Sequence, residues 1–191
     1  SQGAEVIHLG HNRSVDEVAV AAIQEDVDAV AISSYQGGHV EFFEYLAATL
    51  RERGAGHIRL YGGGGGTIVP EEIERLAKAG VTIFSPEDGQ HLGLARMVNT
   101  IIAESDVPRP ARQHSVEELS GGDDAVLAQT VSDIEFGVLP ADQIARLHEL
   151  AAGHGVVLGV TGTGGSGKSS LTDELIHRLR LDQQDQLRTA V

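Results

Sequence analysis

The chain has 191 residues, a net charge of −14, 41% hydrophobic residues and no cysteine. This apolar content is enough for a packed core, and the length allows one large or two small domains. The negative charge argues against general binding of nucleic acid or anionic membranes, and the absence of cysteine excludes disulfides and thiolate metal sites. No apolar run reaches membrane-spanning length and no signal peptide is recognised, so a cytoplasmic protein is expected.

The first hundred residues alternate strand and helix signals. Apolar, β-branched runs predict the strands, and apolar residues at helical spacing predict the helices between them. Ser14 and Glu17 form a capping-box pattern at one helix start, and Pro70 suits the first turn of another. Four βα units in a row favour an α/β fold, with a parallel sheet of flavodoxin or Rossmann type and helices on both sides. The predicted strands are residues 4–9, 29–33, 58–61 and 81–84, the second being central, and the helices after them carry Val15, Phe43, Ile73 and Leu94.

The second half of the chain has a different organisation. Residues 104–114 have linker composition, and Ser115 with Glu118 and Ser132 with Glu135 predict helix starts. A further helix is expected between Pro140 and Gly153. The predicted divisions are a first domain over 1–103, a linker with helices over 104–139, and the start of a phosphate-loop NTPase domain over 140–191.

A phosphate-binding loop occupies residues 162–169, which read Gly-Thr-Gly-Gly-Ser-Gly-Lys-Ser and match G-x-x-x-x-G-K-[ST] in full. A buried strand is predicted before it at 156–160, and a helix after it. The N–H groups of such a loop converge on a polyphosphate, Lys168 is expected to reach the terminal phosphates, and the Ser169 hydroxyl to bind Mg²⁺. The predicted nucleotide-binding residues are Gly162, Thr163, Gly164, Gly165, Ser166, Gly167, Lys168, Ser169 and Ser170.

The 22 residues after Ser169 are too few to complete a nucleotide-hydrolysing domain. They contain neither the Asp-x-x-Gly that helps to hold Mg²⁺ nor the Asn-Lys-x-Asp that reads guanine. We therefore expect the chain to be a piece of a larger protein.

Small and polar residues follow the predicted strands, at the rim where parallel α/β sheets bind their ligands. Residues 33–39 and the five glycines 62–66 allow a bulky ligand to approach the backbone. An ordinary βα turn and a flexible linker explain the same two segments. His8 and His11 have a metal-like spacing, but two histidines without further ligands are more often structural.

These parts together resemble the cobalamin-binding domain of adenosylcobalamin-dependent acyl-CoA mutases. Residues 33–35, Ser-Ser-Tyr, match the family's Ser-x-Leu element with Tyr35 in place of Leu, and residues 62–63 match its Gly-Gly element. The Asp-x-His-x-x-Gly loop that supplies the cobalt-binding His is not found. The resemblance therefore implies that the first βα unit is missing and that cobalamin binding is weak. The implied cobalamin-binding residues are Ser33, Ser34, Tyr35, Gly37, Gly38, His39, Gly62, Gly63, Gly64, Ser85 and Pro86.

The order of a cobalamin domain and then a phosphate loop is similar to the fused isobutyryl-CoA mutases, of which the chain is expected to be an N-terminal fragment. That family interconverts isobutyryl-CoA and n-butyryl-CoA with adenosylcobalamin, and its built-in chaperone GTPase uses GTP and Mg²⁺ to gate cofactor loading. The resemblance implies that Ser33 hydrogen-bonds the dimethylbenzimidazole tail and that Gly62 and Gly63 leave room for it. It also implies a homodimer, an acyl-CoA site outside this chain, and no catalytic residue or mutase activity in this chain alone.

Three other interpretations remain open. One is an enzyme of methylmalonyl-CoA mutase type, because the residues that select the acyl-CoA lie in another domain. Another is a non-catalytic B12-binding module joined to a nucleotide-binding domain. The third is a flavodoxin-like FMN module beside a phosphate-loop kinase, which the optical spectrum of the purified protein distinguishes from a cobalamin protein.

Overall fold

The computed structural model describes residues 3–35, 37–64, 68–108, 112, 114–153, 155–187 and 189. These residues form two compact units, which divide the chain at 147/148. None of the helices found in these ranges has the length and apolarity needed to cross a membrane. The elements are α1 Val15–Gln24, β1 Ala29–Ser33, α2 His39–Glu52, β2 Arg59–Gly63, α3 Pro70–Lys78, β3 Val81–Phe84, α4 Pro86–Ser105, α5 Val116–Ser120, α6 Asp124–Glu135, α7 Ala141–Ala151 and α8 Lys168–Asp182.

The strands form a parallel sheet in the order β1-β2-β3, which confirms the predicted α/β fold class. Among the described strands β2 is central and β1 lies at the edge, so the prediction that residues 29–33 are central is wrong. Ala31 and Ser33, which lie on the side of β1 opposite the core, are exposed. The third predicted strand is also shifted: it runs to Gly63, which places two of the five glycines inside the sheet.

Two predicted strands do not form. Residues 4–9 are irregular, with Val6 78% exposed, and residues 156–160 are irregular, with Val156 98% exposed. A strand needs a neighbour that satisfies its backbone N–H and C=O groups. No strand of the described ranges pairs with either segment, so their apolar, β-branched sequences are not sufficient.

The hydrophobic core lies between one face of the sheet and helices α1, α2 and α3. Ala19, Leu46 and Leu76 are completely buried there, and Phe43 is nearly so. Removing a side chain as large as leucine or phenylalanine from water stabilises the fold by about 1.5–3 kcal/mol. The predicted capping box at the start of α1 is confirmed, since the Ser14 hydroxyl accepts the Glu17 N–H and the Glu17 carboxylate accepts the Ser14 N–H.

The other face of the sheet is partly covered by α4. The Tyr61 hydroxyl, on β2, donates to Glu104 Oε2 at 2.8 Å, and the Tyr61 ring stacks on Phe84 of β3. Burial, followed by the Glu104 hydrogen bond, raises the pKa of Tyr61. Gly93 interrupts α4 with φ 72° and ψ 156°, a conformation open essentially to glycine alone. The predicted helix at Leu94 is therefore the second part of α4, and a shorter helical segment precedes it.

The predicted linker contains α5 and α6. Both helices belong to the same compact unit as the sheet. The predicted helix start at Ser115 is confirmed. The one at Ser132 is wrong, because the Asp123 side chain caps α6 earlier and Ser132 lies inside that helix. Arg112 joins this region to the end of α1: its guanidinium donates to Asp26 at 2.8 Å. The predicted domain limits at 103 and 139 stay predictions.

Candidate functional site

The carboxyl ends of the three strands meet in one row, because Ser33 pairs with Gly63 and Gly63 with Phe84. The Ser34 N–H donates to the Gly63 carbonyl at 2.8 Å, which continues the pairing past the end of β1. Parallel pairing thus brings to one rim the residues that the sequence placed in three separate segments, 33–39, 62–64 and 85–86.

One patch of the sheet beside this rim is uncovered. We call it the open face; it consists of Ala31, Ser33 and Gly63, on the side of the sheet opposite the core. The stacked rings of Tyr61 and Phe84 lie next to it on the same side. No hydrogen bond joins the Ser33 hydroxyl to another residue of the described ranges. The open face therefore offers small side chains, a hydroxyl and a neighbouring aromatic wall.

The glycines of β2 differ in what surrounds them. A Cβ on Gly62 would lie 2.5 Å from both Phe43 Cζ and Ile83 Cδ1, so core packing requires glycine at this position. A Cβ on Gly63 would meet the Phe84 carbonyl oxygen at 3.5 Å, which is an ordinary contact. The missing side chain of Gly62 is thus on the core side of the sheet and that of Gly63 on the side of the open face. Gly64 follows them and is half-exposed. Gly65 and Gly66 lie outside the described residues.

The loop between β1 and α2 presents a bulky side chain next to bare backbone. Tyr35 is 71% exposed, and Gly37 and Gly38 are exposed as well. Gly38 precedes α2 with φ +86°, which an L side chain rarely adopts, so the turn itself accounts for this glycine.

His39 begins α2 and is buried. Its Nε2 lies 3.0 Å from Oε2 of Glu72 on α3, and the same oxygen accepts the Val69 N–H at 3.0 Å. The Val69 hydrogen bond, and then the one from His39, lower the pKa of Glu72. A carboxylate only accepts, so His39 Nε2 carries the proton. The sequence did not single out Glu72, because only folding brings it next to His39.

Ser85 and Pro86 lie at the rim end of α4. The Ser85 hydroxyl accepts the Asp88 N–H at 3.1 Å and donates to Asp88 Oδ2 at 2.8 Å. The Ser85 backbone N–H also donates to Asp88 Oδ2 at 2.8 Å, and this bond, followed by the one from the Ser85 hydroxyl, lowers the pKa of Asp88. Pro86 occupies the first turn, where no N–H is needed. The Ser85 hydroxyl is thus already used as a helix cap.

The predicted nucleotide loop lies in the second compact unit. Residues 162–167 form an exposed turn, and α8 begins immediately after Gly167, whose φ is +81°. Lys168 Nζ donates to the Gly162 and Thr163 carbonyls at 2.8 and 2.7 Å. A cleft of about 330 Å³ is lined by residues 165–170, which include Ser169. The loop thus leads into a helix N-terminus with a lysine folded across it.

Comparisons with known proteins identify the family of the first compact unit. Residues 1–90 match the family model for the B12 binding domain. The chain is 60% identical over 192 residues to the fused isobutyryl-CoA mutase of Nocardia farcinica and 54% identical over 194 residues to that of Cupriavidus metallidurans. Both alignments cover all of this chain but only 18% of the relative, so the chain spans about a fifth of these proteins.

A smaller relative is matched over most of its length. The chain is 31% identical over 102 residues to the small subunit of 2-hydroxyisobutanoyl-CoA mutase from Aquincola tertiaricarbonis, which covers 53% of this chain and 73% of the relative. Taken with the parallel sheet and its rim, these similarities show that the chain contains a B12-binding domain and belongs to the same family as this mutase small subunit and the matching part of the fused isobutyryl-CoA mutases.

Proposed function

We propose that this chain is the cofactor-binding part of an adenosylcobalamin-dependent mutase that interconverts isobutyryl-CoA and n-butyryl-CoA, with a fused GTPase that gates cofactor loading. The names of the long relatives support the reaction, and the B12 family match supports the cofactor. In this proposal the acyl-CoA binds in a domain outside the chain, and the active protein is a cytoplasmic homodimer.

The open face is the observation that carries the cofactor assignment. Its three small residues leave a flat surface on which the dimethylbenzimidazole tail can lie, with the Ser33 hydroxyl available to bond it and the Phe84 ring at its side. Tyr35, Gly37, Gly38 and Gly64 surround it in this proposal. His39, Gly62 and Ser85 act indirectly, since their contacts lie within the protein.

The residues present fit the tail of the cofactor. Bound adenosylcobalamin supplies the radical chemistry, and these side chains bind and orient it. No catalytic side chain is assigned to the described ranges.

The second compact unit binds GTP and Mg²⁺ in this proposal. Lys168 exchanges its two carbonyl partners for the terminal phosphates, because a charged acceptor gives the stronger hydrogen bond. Ser169, on the first turn of α8, binds Mg²⁺ through its hydroxyl. The positive end of the α8 dipole adds to the attraction for phosphate.

A spectroscopic titration tests the cofactor assignment. The purified chain is titrated with adenosylcobalamin, with adenosylcobinamide, which lacks the nucleotide tail, and with FMN. We expect weak binding of adenosylcobalamin and at least about tenfold weaker binding of the tail-free compound, because the open face contacts the tail. Equal affinity for the two corrinoids contradicts the role of the open face, and preferential FMN binding contradicts the cobalamin assignment.

A further inference from the structure

We infer that Glu72 is a positioning residue for the ligand site, which acts through His39 to hold together the two loops that flank the open face. The first loop consists of the described residues 34–35 and 37–38, between β1 and α2, and the second of the described residues 64 and 68–69, between β2 and α3. The inference rests on the proposed function only in naming cobalamin as the ligand.

The contacts of one carboxylate oxygen support this role. Glu72 Oε2 accepts both the Val69 N–H, at the end of the second loop, and His39 Nε2, at the end of the first loop, each at 3.0 Å. The His39 side chain is 5% exposed and that of Glu72 is 35% exposed, so the bond is shielded from solvent on the imidazole side. Hydrogen bonds to a charged group are stronger than neutral ones, particularly where water is excluded.

A second hydrogen bond holds the other end of the first loop to the sheet. The Ser34 N–H donates to the carbonyl of Gly63, the last residue of β2, at 2.8 Å. The first loop is therefore held at both of its ends, to β2 by backbone pairing at Ser34 and to α3 by the imidazole–carboxylate bond at His39. The residues between these attachments, Tyr35, Gly37 and Gly38, make up the exposed part of the predicted ligand site.

A nearby ion pair provides a matched control. Arg75 of α3 donates to both carboxylate oxygens of Glu44 on α2, each at 2.6 Å. This pair also joins α2 to α3, but it lies further along both helices, away from the loops. If joining the two helices is all that matters, Glu44→Ala and Glu72→Ala will have the same effect on the loops.

Hydrogen exchange of individual amides tests the inference without any ligand. In Glu72→Ala we expect the amides of Tyr35, Gly37 and Gly38 to exchange about tenfold faster, with Leu46 in the core of α2 unchanged. In Glu44→Ala the three loop amides should keep their wild-type rates. Unchanged loop exchange in Glu72→Ala overturns the inference, as does equal acceleration in both variants.

A double-mutant cycle with adenosylcobalamin then tests the coupling. His39→Ala and Glu72→Ala should each weaken binding about tenfold. The double variant should bind no more weakly than Glu72→Ala, because the Glu72 substitution already removes the bond to His39. His39→Gln should restore part of the affinity, since its amide can donate to Glu72. A loss confined to the His39 variants overturns the inference and assigns His39 a direct contact. If the wild-type chain binds no cobalamin, the proposed function fails, and the exchange rates alone decide on Glu72.

Discussion

The ring of Phe43 packs against the backbone of Gly62, in the place that a side chain on residue 62 would occupy. Phe43 Cζ stands 2.5 Å from the point where a Cβ on residue 62 would be placed, and Ile83 Cδ1 is equally close. Phe43 is only 1% exposed, and a ring in a close-packed core cannot shift without disturbing its neighbours. A glycine that the family resemblance associates with cofactor binding is therefore required by the core as well.

The two glycines of β2 should respond differently to a methyl group. Gly62→Ala overpacks the core and should lower the free energy of unfolding by about 1–3 kcal/mol. Gly63→Ala meets only an ordinary contact, so it should leave stability within about 0.5 kcal/mol while weakening adenosylcobalamin binding. Urea unfolding and a cobalamin titration of both variants measure the two effects. Equal destabilisation by the two substitutions contradicts this assignment of sheet faces.

The Tyr61 hydroxyl should make stability depend on alkaline pH. Its pKa is raised above 10.0 in the folded state, so the unfolded chain ionises first. The associated stability is complete below pH 10 and is lost as the pH rises through the raised pKa of the folded state. An alkaline titration followed by phenolate absorbance measures this. In Tyr61→Phe the increase in absorbance at the highest pH should be missing. The same increase in this variant would show that another group is responsible.

Arg112 should contribute more to stability than an exposed arginine. Its partner Asp26 is 4% exposed, so Arg112→Met leaves that buried carboxylate with one partner fewer. The backbone N–H of residue 112, which donates to Asp133 at 2.9 Å, is kept in this variant. We expect a loss of about 3 kcal/mol in the free energy of unfolding. Arg146→Met, which breaks an exposed pair with Glu117, should cost less than about 1 kcal/mol. Urea unfolding of both variants tests this, and equal losses would show that the Asp26 contact stabilises nothing.

Lys168→Ala should weaken GTP binding about tenfold to a hundredfold, because a charged donor to the phosphates is lost. Arg178→Ala serves as the control, since it removes the same charge from the exposed surface of α8. Isothermal titration with GTP in the presence of Mg²⁺ measures both affinities. Similar losses in the two variants would mean that Lys168 acts only through net charge.

Features that depend on neighbouring residues could be predicted from the sequence. The helix starts at Ser14 and Ser115, each with a glutamate three positions further on, form as expected, and the capping box predicted at Ser14 is present. The α/β fold class followed from the alternation of strand and helix patterns. The rim was predicted in outline, because parallel strands bring their carboxyl ends to one edge.

Features that depend on residues far apart in the chain could not be predicted from the sequence. The sequence shows five glycines, but only the positions of Phe43 and Ile83 reveal why Gly62 must lack a side chain. The apolar pattern at 4–9 indicates a strand, yet pairing decides whether one forms. Glu72 has the sequence position of a helix-capping residue, and only the folded chain brings it to His39.

The interruption of α4 at Gly93 has a mechanical consequence. The segment from Pro86 to Leu92 does not share one continuous helical rod with the residues after it. A displacement of the rim is therefore not transmitted along one rigid helix to Glu104, which accepts the Tyr61 hydroxyl. Gly93→Ala would strain the backbone at this point, because an L side chain rarely adopts its positive φ.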